Sequence, residues 1–93
     1  MGLAEYRKEV EDIDEKIIRL IDQRVRLAKN IFEAKRSEGR GISDPERERH
    51  VQQHATDLAT ELNLDAGAIN EIFSVLIRMS IQKQHELQGK NQG

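Results

Sequence analysis

From Leu3 the apolar residues recur at spacings of three and four, through Tyr6, Val10, Ile13, Ile17 and Leu20, then Leu27, Ile31 and Ala34. This is the period of an α-helix with one apolar stripe. A second line, Ile18, Ile21, Val25, Ala28 and Phe32, runs beside the first and widens the face beyond what a two-stranded coiled coil covers. The pattern stops at Gly39 and Gly41, after Lys35 and Arg36, where cations suit the negative end of the helix dipole. A first helix over about 3–38 is predicted. Asp44-Pro45-Glu46 starts a second: the residue before Pro avoids the helical region, Pro suits the first helical position, and Asp caps free amides. That helix, about 45–62, is expected to turn Val51, Ala55, Leu58 and Leu62 inward. After a break at Asn63-Leu64, Asp65 caps a third helix over about 66–88, burying Ile69, Ile72, Phe73, Leu76 and Leu87, with 89–93 expected to fray. The reading is all-α, a single domain over residues 1–93 with one long and two shorter helices.

Length changes that picture. Helix one spans ~52 Å at 1.5 Å per residue, whereas a compact chain of this size has a radius of gyration of ~12 Å. Two shorter helices leave part of the long stripe bare, so a second copy must cover it, and the expected assembly is an intertwined homodimeric bundle built on paired long helices. Composition agrees, with 37% hydrophobic and 34% charged residues, no Trp and no Cys, a balance of helical bundles with solvated outer faces. The lack of Cys removes disulfides and thiolate chemistry and fits a reducing cytoplasm. Neither a signal segment nor an apolar run long enough to span a bilayer is found, so the expectation is a cytoplasmic protein with no membrane partner. Net charge is −2 with both signs interleaved, which argues against a nucleic-acid partner. Any bound anion must be caught by a few placed cations.

The residues that interrupt the stripes carry the chemistry. Arg24 stands on a seam position between Leu20 and Leu27, where a charge is costly unless paired or facing a polar cavity. Lys35 returns to within ~20° of Arg24 around the helix, whereas Arg7 sits ~100° away and cannot extend that row. Asp44, Arg47 and Glu48 lie within ~60° of the direction of Val51. On helix three, Ser80 and Gln84 continue the line of Ile69, Phe73 and Leu76. Any one of these alone reads as a cap, an ion pair or a long side chain reaching water. Breaks on all three helices point instead to a pocket for a small polyanion bearing hydroxyl or ether oxygens.

Competing motifs are weaker. His50 and His54 are four apart, as in helical metal sites, but no third ligand accompanies them, and no metal site is assigned. Gly39-Arg40-Gly41 lacks the preceding strand and third glycine of a phosphate loop, and Asp44 would repel a phosphate. No Ser, His and Asp spacing marks a triad.

Over about residues 3 to 88 the chain resembles the all-helical AroQ class of chorismate mutases. The resemblance is carried by Tyr6-Arg7 leading to Ile13-Asp14, by Leu20-Ile21-Asp22-Gln23-Arg24 with Leu27-Ala28, by Ala34-Lys35, by Asp44-Pro45-Glu46-Arg47-Glu48-Arg49, and by Ser80 through Gln84. It implies a rearrangement of chorismate to prephenate in aromatic amino acid biosynthesis, through a chair-like transition state and without cofactor, acid, base or nucleophile. It further implies that Arg24 and Lys35 of one subunit and Arg7 of the other grip the carboxylates, with Ser80 helping at one. Glu48 and the backbone near Asp44 would hold the ring hydroxyl, Arg47 would orient pocket groups including Asp44, and Lys35 and Gln84 would be the catalytic donors to the ether oxygen. Isochorismate-pyruvate lyase resembles the same fold, but Glu48 and Ser80 favour the mutase, since the lyases carry apolar or aromatic side chains there. A non-enzymatic helical dimerisation module, with polar residues setting register, explains one break better than a set spread over all three helices.

Overall fold

The computed structural model describes residues 2–92 and contains three helices: α1 (Leu3–Ser37), α2 (Pro45–Glu61) and α3 (Ala66–Gln92). The boundaries follow local chemistry. At the end of α1, Gly39 takes φ 71°, the Gly39 N–H donates to the Arg36 carbonyl (3.1 Å) and the Arg40 N–H to the Lys35 carbonyl (2.7 Å). This is the paired closure of a Schellman motif. α2 ends in the same way with Asn63 at φ 59°, the Asn63 N–H donating to Thr60 and the Leu64 N–H to Ala59. Asp44 caps α2 by accepting from the Arg47 N–H, and Asp65 accepts from the Ala68 N–H at the head of α3. α3 runs on through Gly89 to Gln92, past the end expected near residue 88. Gly93, the last residue of the tail expected to fray, lies outside the described residues.

α3 packs against both α1 and α2, while those two helices do not meet. The core is thin: Ala28 and Phe32 on α1, Ala55 and Ala59 on α2, and Ile42 from the loop between them. Gln84 of α3 is buried with them, 3% exposed. Because α1 and α2 are held apart by α3, the C-terminal turns of α1 and the first turns of α2 flank an open cleft floored by α3. That cleft is where polar residues collect.

Only the Ala28 and Phe32 side of α1 is covered within the chain. The other line, from Leu3 through Tyr6, Val10, Ile13, Ile17 and Leu20 to Leu27 and Ile31, lies in the open, and Ile18 with it. Leu58, Leu62 and Ile72, expected inward from their spacing, are also about half exposed. The reason is geometric: α1 has one helical neighbour, and α3 reaches only part of its length. The chain measures 55 × 27 × 16 Å with a radius of gyration of 16.6 Å, well above the ~12 Å of a compact chain this long.

Asn63 is far from the cleft and tests the closure of α2 cleanly. A β-branched residue held at positive φ should lower stability by about 1–2 kcal/mol, and glycine should not. Urea denaturation of Asn63→Val and Asn63→Gly is expected to show the loss in the first variant alone.

Candidate active site

Seven of the eight residues singled out from the sequence meet around one cleft of about 540 Å³: Arg24, Lys35, Asp44, Arg47, Glu48, Ser80 and Gln84. Each helix supplies its share at a defined place. α1 brings Arg24 and, three turns on, Lys35; the first turn of α2 brings Arg47 and Glu48 behind the Asp44 cap; α3 brings Ser80 and Gln84 from its middle. Arg7 is not among them. It is exposed on the first turns of α1, 17 residues or ~25 Å of helix from Arg24.

The cations are poorly neutralised. Arg24 donates from Nη1 to the main-chain oxygen of Leu76 (3.0 Å), and neither Arg24, Lys35 nor Arg47 forms an ion pair with a carboxylate among the described residues. Burial, and then the neighbouring Arg47 guanidinium, hold the Arg24 pKa below its ordinary value. Arginine stays charged regardless, so the cost of this burial persists as an unsatisfied demand for an anion. Lys35 Nζ donates to the Ile42 carbonyl (2.7 Å) and to Gln84 Oε1 (3.4 Å). The Gln84 amide is thereby oriented: its oxygen faces the ammonium, and Nε2 faces Ser80 Oγ at 3.4 Å. An ammonium has three donors and an amide nitrogen two, so Lys35 and Gln84 each keep a donor for a ligand. The Asp44 carboxylate is engaged, accepting from the Arg47 N–H (3.3 Å) and the Arg40 guanidinium (3.4 Å). Arg40 also approaches Glu38 at 3.8 Å.

Apart from Glu38 and Arg40, apolar side chains form the rest of the lining. Leu27, Ile31, Ala34 and Val51 lie on stripes read from the sequence, and Ile77 and Ile81 are added by α3. The last two are placed by the same helical spacing that places Ser80 and Gln84, three residues before each, and that spacing was the available signal. Arg40 and Ile42 were missed because they sit in a loop, beyond the reach of periodicity. The trace that Ile42 leaves in the sequence is being the only apolar residue between Ser37 and Pro45.

Such a site offers several fixed cationic and neutral donors, the Glu48 carboxylate, which has no ion-pair partner among the described residues, and greasy walls. It suits a small polyanion bearing hydroxyl or ether oxygens. The model of the chorismate mutase type II family matches residues 6–85. The chain is 42% identical over 93 residues to a chorismate mutase of Methanocaldococcus jannaschii, covering 96% of this chain and 94% of that protein. It is 33% identical over 88 residues to a bifunctional chorismate mutase/prephenate dehydratase of Buchnera aphidicola from Schizaphis graminum, covering 95% of this chain and 23% of that protein. The corresponding bifunctional protein of Escherichia coli K12 is 31% identical over 85 residues, 91% of this chain and 22% of that protein. The chain belongs to the chorismate mutase type II family. Its length is matched by the archaeal relative almost end to end, whereas it corresponds to under a quarter of the two bifunctional proteins.

Arg24 separates function from fold. Its carbonyl partner, Leu76, lies within α3, and a helix carbonyl keeps its main-chain donor when the guanidinium goes. Replacing an unpaired, partly buried charge by an apolar residue is often neutral or better. Arg24→Leu is therefore expected to keep its urea midpoint within about 1 kcal/mol of the parent in stability while losing at least about a hundredfold in kcat/KM.

Proposed function

We propose that this chain rearranges chorismate to prephenate by holding one conformer of a dianion among fixed donors. The observation that carries the reading is the set of half-buried, unpaired cations, Arg24 and Lys35 above all, converging with Ser80 and Gln84 on one cleft. In this reading Arg24 takes a carboxylate and Ser80 assists at one. Glu48 accepts the ring hydroxyl, and Asp44, fastened by Arg40 and the α2 cap, shapes that end of the cleft with Arg47. The reaction breaks a C–O bond and forms a C–C bond within one molecule, so it needs no proton transfer. What it needs is the enolpyruvyl arm folded over the ring, which the apolar walls favour, and donors at the ether oxygen as that atom gains negative charge. Lys35 Nζ and Gln84 Nε2 are those donors, each typically worth ~3–4 kcal/mol of barrier.

The open side of the cleft and the bare stripe of α1 are one problem with one solution. A second copy laid along Leu3, Tyr6, Val10, Ile13, Ile17 and Leu20 buries them, and it brings the partner's first turns towards the mouth of the cleft. Arg7, unused in its own subunit, then supplies the remaining cation for the dianion. Cross-subunit assembly of the site explains why the residue least connected to the pocket in the chain belongs to the same set.

Incubation with chorismate is expected to yield prephenate, and light scattering to give twice the chain mass of 10.7 kDa. Formation of salicylate and pyruvate from isochorismate, with chorismate untouched, would make the protein a lyase, and inertness to both would make it a binding module. Mixing Arg7→Ala with Arg24→Ala subunits under exchange should restore activity in heterodimers, each holding one complete site. No recovery despite demonstrated exchange would leave Arg7 outside any active site.

A further inference from the structure

We infer that Ile42 is a positioning residue for the rearrangement, its main-chain carbonyl fixing the Lys35 ammonium where it can donate to the reacting oxygen. The inference rests on the reading in which Lys35 is a catalytic donor. A lysine ammonium is a strongly hydrated point charge on a flexible four-carbon stem, so a useful electrostatic contribution requires that something hold it before substrate arrives. On the protein side of the cleft, two acceptors do so. The shorter bond by far is to the Ile42 carbonyl, 2.7 Å, against 3.4 Å to Gln84 Oε1.

That carbonyl is itself held. The Ile42 side chain is buried, 9% exposed, in a loop whose other residues between α1 and Asp44 are exposed, so it anchors the loop as a peg. The loop's near end is closed on the same lysine, the Arg40 N–H donating to the main-chain oxygen of Lys35 at 2.7 Å. Arg40 then reaches forward to Asp44 at the head of α2. Lys35 thus grips the loop with its backbone, and the loop grips Lys35 by its side chain. The Ser43 N–H, on the far side of the Ile42 peptide bond, donates to no protein acceptor among the described residues. The peptide link can therefore be altered to weaken this one acceptor and little else.

The test is an amide-to-ester exchange made by replacing Ser43 with its α-hydroxy acid in the full chain, which leaves every side chain in place and turns the Ile42 carbonyl into a poorer acceptor. With fold and molar mass unchanged, kcat should fall roughly 3- to 10-fold, the size of one modest hydrogen bond, with a smaller change in KM. The same exchange at Gly41 alters the Arg40 carbonyl, which accepts no protein hydrogen bond among the described residues, and should leave kcat at the parent level. Ile42→Gly, which removes the peg, should reproduce the kcat loss, and Ile42→Val should restore most of it. Lys35→Ala is run alongside and should lose at least about a hundredfold. If Lys35→Ala is impaired while the Ser43 ester matches the parent, the positioning role is refuted and the catalytic role of Lys35 survives. An active Lys35→Ala would refute both.

Discussion

Arg24 carries a positive charge into the seam of a helix bundle and, among the described residues, pairs with no carboxylate there. Its neighbours are a main-chain oxygen, another guanidinium and an apolar wall. Left alone, such an arrangement is a net cost, because desolvation of a cation is repaid only by a well-placed opposite charge. The rest of the molecule is organised around keeping that demand open. α3 separates α1 from α2 so that a cleft forms instead of a closed core, and the Asp44 carboxylate on it is engaged by Arg40 and by its capping role. An anion entering the cleft would supply the missing counter-charge.

Polar groups of the cleft that sit on different helices are linked by hydrogen bonds. Lys35, Gln84 and Ser80 form a chain in which each group fixes the orientation of the next. Gln84 cannot turn its oxygen into the cleft without facing Lys35 with an N–H, so the ammonium sets which end of the amide donates. Ile77 and Ile81 line the same cleft, and an apolar surround strengthens hydrogen bonds made beside it. None of this involves a group that must gain or lose a proton, in keeping with an intramolecular rearrangement.

Much of this was legible in the sequence because helices project periodicity directly onto space. Arg24 and Lys35 fall on one face by counting alone, and the structure puts them on the same cleft. Ser80 and Gln84 were visible as polar members of an apolar line, and Asp44-Pro45 marked the head of α2 to the residue. Periodicity failed where the chain leaves helix. Ile42 lies in a loop, and nothing in its spacing tells that its carbonyl meets Lys35; that follows from the Schellman closure at Gly39, a three-dimensional event. It also failed for Leu58, Leu62 and Ile72, whose apolar character marks a surface to be covered without saying by what. A stripe in the sequence marks an apolar surface, and much of that surface here is left open by the chain's own helices.

A cleft that performs the rearrangement is complementary to the folded, chair-like transition state more than to chorismate itself. Competitive inhibition by a rigid oxabicyclic dicarboxylate, which carries both carboxylates and the bridging ether in the compact geometry, measures that difference. Preorganised donors should hold it at least about a hundredfold more tightly than the KM for chorismate indicates for the substrate. Inhibition no tighter than KM would mean that the cleft recognises the substrate and its transition state alike, and that the arrangement of Arg24, Lys35 and Gln84 serves binding without catalysis.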